Sequence, residues 1–135
     1  MIEIVIADDH QIMRAGMAHI LNEQNDMKVI AKAKDGQEAV EKALQLRPDI
    51  VVMDMDISYK NGLAVIKEIL AKNEEIKVLA LTTDNQQNMV YSAIEAGALG
   101  FLSKSDSGKD LIEAVRTVYG GSPYLKAELA KGIFD

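Results

Sequence analysis

The chain has 135 residues, 48% of them hydrophobic, with no cysteine and a formal net charge of −6. That length makes one domain with a proper core. The missing cysteines exclude disulfides and a thiolate metal site, and they fit a reducing compartment, so a cytoplasmic protein is expected. The negative charge argues against nucleic-acid binding by this chain alone, because phosphate backbones attract basic faces. No apolar run approaches the roughly 18 residues of a membrane span, so no membrane partner is expected. Met1-Ile2-Glu3-Ile4 enters a strand pattern at once and reaches Asp8 too soon for a signal peptide.

In chain order, Ile2 to Ile6 reads as a strand, and His10 to Asn22 follows with Ile12, Met13, Met17, Ile20 and Leu21 at helical spacing. Met27 to Ala31 alternates like an edge strand. Lys34-Asp35-Gly36 then turns into a helix carrying Ala39, Val40, Ala43 and Leu44, with Pro48 closing it. Asp49 to Met53 is the third strand, and Gly62 to Lys72 a helix with Leu63, Val65, Ile66, Ile69 and Leu70. Lys77 to Leu81 is the fourth strand, and Gln86 to Ala96 a helix that Gly97 stops. Leu99 to Leu102 is the fifth strand. Ser105-Asp106-Ser107 caps a last helix through Leu111, Ile112, Val115 and Val118, which Gly120-Gly121 terminates.

A strand–helix unit repeated five times, with nearly continuous apolar runs in the middle strands, predicts a parallel sheet covered on both faces. Right-handed crossovers make it an open, doubly wound α/β fold of the flavodoxin-like (βα)5 kind, with strand order 2-1-3-4-5. Ligands bind such sheets beyond the carboxyl ends of the strands, at the switch between strands one and three. Asp8 and Asp9 follow strand one, Asp54 follows strand three, Thr82 strand four and Lys104 strand five. Three carboxylates, a hydroxyl and an ammonium at one rim suit a hard metal ion and a phosphoryl group carried on an aspartate. Strand two ends in Lys32-Ala33-Lys34 at the sheet edge and is expected to add nothing.

The Asp8-Asp9-His10 opening, Asp35-Gly36-Gln37-Glu38-Ala39, Arg47 to Asp54 and Ala96 to Lys104 resemble the receiver domains of two-component response regulators. The likeness is greatest to the LuxR-type (NarL/FixJ-like) subgroup, and it runs from Ile2 to about Gly121. It implies that Asp54 is the phosphoacceptor and that Asp8 and Asp9 hold Mg²⁺, with the backbone carbonyl of Asp56 as a further ligand. It implies Thr82 as the switch hydroxyl, Lys104 as the phosphoryl contact and Phe101 as the aromatic switch residue, turning inward when Thr82 is displaced. It also implies a sensor histidine kinase as partner, a homodimer on phosphorylation, and DNA contact only through a C-terminal helix-turn-helix domain. Residues 1–121 are then the receiver. Residues 122–135, with Lys126 to Lys131 helical in character, begin the linker.

The chemistry of these roles is independent of the resemblance. A carboxylate attacks a phosphate dianion poorly because both are negative, and Mg²⁺, which prefers oxygen ligands and water, removes most of that repulsion. Lys104 supplies a compact cation where charge gathers on the equatorial oxygens. His10 does not suit Mg²⁺ and reads as the start of the first helix. Receivers commonly carry a proline four residues after the acceptor; here Ser58 stands in its place. Asp56 and Asp84 flank the expected path of hydrolytic water and are expected to tune the lifetime of the phosphoryl group, so Asp56→Asn should alter its decay.

The Asp54-Met55-Asp56 motif also resembles that of aspartyl-nucleophile phosphatases, but those carry it after their first strand in a longer chain. A flavin carrier would want a Gly-rich phosphate loop after strand one, where Asp8-Asp9-His10 stands. A receiver-shaped binding domain that works without phosphorylation is the remaining alternative. The expected function is a phosphoacceptor switch and not an enzyme acting on outside substrates.

Overall fold

The computed structural model describes residues 1–57, 61–83 and 87–126, with the side chains of Gln87 and Asn88 left aside. Five strands and five helices alternate: β1 (Ile2–Ala7), α1 (Gln11–Asn22), β2 (Met27–Ala33), α2 (Gly36–Leu46), β3 (Ile50–Asp54), α3 (Gly62–Lys72), β4 (Lys77–Thr82), α4 (Gln87–Ala96), β5 (Gly100–Ser103) and α5 (Gly108–Tyr119). The sheet order is β2-β1-β3-β4-β5, and every pairing is parallel. Fold class and strand order agree with the sequence reading.

The side-chain period of two divides each strand between two cores. Val5, Val51, Met53, Val78, Ala80 and Phe101 face α2, α3 and α4, while Ile4, Ile6, Ile50, Val52, Leu79 and Leu81 face α1 and α5. Both layers bury β1, β3 and β4, which is why those strands read as unbroken apolar runs.

Helix ends follow local chemistry. The Asp35 carboxylate accepts from the Glu38 N–H, and Ser107 forms a capping box with Asp110. Gly97 ends α4 at φ +112, a conformation that suits glycine. Arg47, at φ 50, is the C-cap of α2, so that helix stops just before the Pro48 that announces its end. Gly62 opens α3 where a β-carbon would lie 2.8 Å from the Cα and carbonyl oxygen of Met55. Only a glycine lets α3 start this close behind Asp54.

Beyond α5 the chain turns back onto the sheet. Tyr124 bridges Gly100 in parallel sense along the free edge of β5. The expected boundary at residue 121 therefore does not coincide with the end of packed structure. The expected helix from Lys126 lies almost wholly outside the described residues, as do Ser58 and Asp84.

Candidate functional site: an acidic cluster with one lysine

Parallel register carries the strand ends to one rim. Ala7 pairs with Met53, Asp54 with Leu81, and Thr82 with Ser103, so Asp8, Asp54, Thr82 and Lys104 emerge side by side. Asp8 and Asp54 are fully buried, and Thr82 is nearly so. Backbone bonds lock this rim: Asp8 N–H donates to the Ala33 carbonyl at 3.0 Å, Met55 N–H to Leu81 at 2.8 Å and Lys104 N–H to Thr82 at 2.8 Å. The edge strand β2 thus contributes a carbonyl, where the sequence suggested nothing.

Lys104 Nζ lies 3.0 Å from Asp54 Oδ2 and 3.0 Å from Asp8 Oδ2, so one ammonium bridges the two buried carboxylates. Asp54 Oδ1 accepts from the Asp56 N–H at 2.9 Å. Burial pushes the Asp54 carboxyl above its ordinary value, against the opposing pull of the Asp56 N–H and Lys104. Burial works to lower Lys104, but its bonds to Asp54 and Asp8 outweigh it, and the ammonium is held charged.

Donor atoms of Asp8, Asp9, His10 and Asp54 all lie within 4.8 Å of one another. Asp8 Oδ2 and Asp9 Oδ1 are buried, with Lys104 Nζ 3.0 Å from the former and His10 Nδ1 3.2 Å from the latter. Three carboxylates share one ammonium, so the cluster keeps acceptor oxygens that a cation can take. The carboxylate oxygens are the hard donors that Mg²⁺ takes, so the residues fit that ion. Asp8, Asp9 and Asp54 would hold it, with the Asp56 carbonyl close by in sequence.

Two neighbours escaped the sequence reading. His10 does occupy the N-cap of α1, but its ring makes no cap and turns into the site, with Nδ1 3.1 Å from Asp8 Oδ1 and 3.2 Å from Asp9 Oδ1. Asp8 Oδ1 instead accepts the His10 N–H at 2.8 Å, so this carboxylate orders the start of α1 and lines the site at once. Arg14 donates from Nη1 to the Asp8 carbonyl at 2.7 Å. A cation one turn into the helix that follows an acidic strand end was the available signal.

The Asp56 side chain is exposed and accepts from the Thr83 hydroxyl at 3.3 Å, between the ends of β3 and β4. Phe101 is 2% exposed and packs in the core under α4.

Comparison with known proteins agrees with this architecture. Residues 4–116 match the response regulator receiver domain family. The chain is 43% identical over 129 residues to the transcriptional regulatory protein LnrK of Bacillus subtilis strain 168, covering 96% of this chain and 59% of that protein. It is 38% identical over 134 residues to the oxygen regulatory protein NreC of Staphylococcus epidermidis strain ATCC 12228, covering 98% of this chain and 62% of that protein. A LuxR-family two-component response regulator from Aurantimonas sp. SI85-9A1 superposes with a TM-score of 0.92 at 28% identity, covering 97% and 94% of the two chains. The chain spans about three fifths of the length of these two curated relatives. The phosphatase reading fails on topology, because the Asp54-Met55-Asp56 motif follows β3 in a receiver fold. With the fold, the acidic rim and the matched residues in agreement, the chain belongs to the response regulator receiver domain family, in its LuxR-type branch.

Proposed function

We propose that this domain is a phosphorylation switch in which Asp54 takes a phosphoryl group from a sensor histidine kinase or a small acyl phosphate. The observation that carries the reading is Lys104 bridging the buried carboxylates of Asp54 and Asp8 at 3.0 Å, in a cluster whose Asp8, Asp9 and Asp54 donor atoms lie within 4.8 Å of one another.

A carboxylate oxygen of Asp54 attacks phosphorus as the bond to the donor breaks, and the electron pair leaves on the donor's imidazole nitrogen or carboxylate oxygen. Asp8, Asp9, Asp54 and the Asp56 carbonyl would hold Mg²⁺, which would supply charge neutralisation for the attack. Lys104 shifts its ammonium from the carboxylates toward the incoming phosphoryl oxygens, and Asp56 N–H keeps the Asp54 carboxylate oriented. Thr82, at the end of β4, offers its hydroxyl to the product. Phe101 lies on the adjacent strand, where Ala80 is its register partner, and takes the role of packing reporter. Asp56, just after β3, together with Asp84 two positions after Thr82 in the sequence, is assigned to tuning the lifetime of the phosphoryl group.

In this reading the domain acts on no outside substrate and catalyses only its own modification and its reversal. Phosphorylation favours a homodimer, and DNA contact belongs to a helix-turn-helix output domain reached through residues 122–135. None of the described helices is long and apolar enough to cross a membrane. The test is intact mass after incubation with acetyl phosphate, with and without Mg²⁺, beside Asp54→Asn. One added phosphoryl group that needs the metal and is missing in the variant is the expected result. A folded protein that takes up none would leave a binding domain that works without phosphate.

A further inference from the structure

We infer that residues 122–126 form a strap on the free edge of β5 that holds the switch aromatic and the lysine-bearing loop in place, so that strap docking and phosphoryl occupancy support each other. The coupling rests on the phosphoacceptor reading above; the strap itself rests on contacts at the far side of β5.

The first contacts are backbone. Phe101 N–H donates to the Tyr124 carbonyl at 2.9 Å, and Tyr124 N–H donates to the Leu99 carbonyl at 3.2 Å. They form the isolated Gly100–Tyr124 bridge, a one-residue parallel pairing on the edge of the five-stranded sheet. A β-carbon at Gly100 would lie 2.7 Å from Leu79 and Val118 side-chain atoms and 3.6 Å from Tyr124 Cβ, so the strap sits against a strand position with no spare room. Leu125 packs onto the core that contains Phe101, and Tyr124 onto the opposite core beside α5, so the strap grips both faces at the sheet edge.

The second contacts are ionic. Lys126 Nζ donates to Asp106 Oδ1 and to Asp110 Oδ2, each at 3.0 Å. Asp106 in turn accepts the Ser103 N–H on its other oxygen at 3.0 Å, and its own N–H donates to the Ser103 carbonyl at 3.0 Å. The turn fastened this way is the one that carries Lys104 to Asp54. The strap therefore touches the main chain of Phe101 at one end and the Lys104 turn at the other.

A groove of about 340 Å³ between α4 and the strap has Phe101 in its floor and Ile94 and Pro123 on its walls. Lifting the strap removes a partner from the Phe101 backbone, opens this groove to the ring and frees the Lys104 turn. Each change weakens the arrangement that receives a phosphoryl group. By reciprocity a phosphoryl group at Asp54 tightens the strap, and the chain after Lys126 receives the signal as a firmer anchorage.

The experiment uses the 135-residue chain with two variants that break the strap differently. Tyr124→Pro removes the N–H given to Leu99 and keeps every charge, and Lys126→Met removes the two ion pairs. Amide hydrogen exchange in the metal-free protein is expected to speed up at Phe101 by about tenfold or more in both, with Val5 and Val52 unchanged as proof of an intact sheet. Affinity for beryllofluoride with Mg²⁺, read by fluorine NMR, is expected to fall by about fivefold or more in both. A loss confined to Lys126→Met would mean that charge alone acts, and would overturn the coupling. Wild-type affinity in variants whose Phe101 exchanges fast would overturn it too, as would unchanged exchange at Phe101. Failure of the wild-type protein to bind beryllofluoride would sink the phosphoacceptor reading, and the coupling with it.

Discussion

Replacing Asp54 by asparagine should stabilise the metal-free protein, although it abolishes the acceptor. Three carboxylates share the site with the Lys104 ammonium, and the donor atoms lie within 4.8 Å of one another. Two like charges at that separation repel by about 3 kcal/mol at an effective dielectric constant near 20. The 3.0 Å contact with Lys104 offsets part of this. The net sign follows from the direction of the Asp54 shift: burial, the largest cause, raises its carboxyl despite the Asp56 N–H and Lys104. The folded state thus holds the Asp54 proton more tightly than the unfolded state does. For this group alone, stability is greatest below the unfolded carboxyl value near ~4, falls as pH rises through the window up to the raised folded value, and stays reduced above it.

Asparagine keeps the shape, its one carbonyl oxygen can accept from the Asp56 N–H, and Lys104 keeps its ion pair with Asp8, so the expected gain at pH 7 is some part of the like-charge repulsion of about 3 kcal/mol that is relieved, read as a rise in Tm. Excess Mg²⁺ reverses the order. The wild-type protein gains about 2.7 kcal/mol at a hundred times its Kd, and the variant, short of one ligand, gains little. Calorimetry at pH 5 and pH 7, with and without Mg²⁺, reads both effects. A metal-free Asp54→Asn protein that melts below wild type at pH 7 would refute the reasoning, because the Lys104 ion pair would then outweigh burial and repulsion.

Lys104→Met should act oppositely, leaving Asp8 and Asp54 buried without their cation. Urea titration without metal is expected to show a loss of about 3 kcal/mol or more, and Mg²⁺ should restore much of it. Gly62→Ala forces a methyl group to 2.8 Å from the Met55 backbone, so a loss of about 1 to 3 kcal/mol is expected together with weaker Mg²⁺ binding. An unchanged urea midpoint would show that α3 can move. Arg116 pairs with Asp26 in a fork, with Nε–Oδ2 and Nη2–Oδ1 both at 3.0 Å, and its hydrogen bond is the largest cause lowering the Asp26 carboxyl. That support exists above the unfolded carboxyl value near ~4 and disappears as pH falls through the lower folded value. Any difference in Tm between Arg116→Gln and wild type should therefore shrink from pH 6 toward pH 2, and a pH-independent difference would assign the effect to packing.

Much of this protein was legible in one dimension because a parallel α/β fold writes itself into local pattern. Buried strands require unbroken apolar runs, covering helices require a 3.6-residue stripe, and connections between parallel strands allow one hand. These constraints place Asp8, Asp54, Thr82 and Lys104 at one rim. The sequence could not show that Lys104 bridges Asp8 and Asp54, that the His10 ring turns into the site, or that Arg14 braces the Asp8 carbonyl. Those depend on side-chain reach across residues up to 96 positions apart in the chain, from Asp8 to Lys104. Nor could it show how tightly Phe101 is packed in the core or that Tyr124 returns to the edge of β5. Both follow from the finished core and the unpaired edge of its last strand, and local periodicity carries no information about which distant segment will cover such an edge.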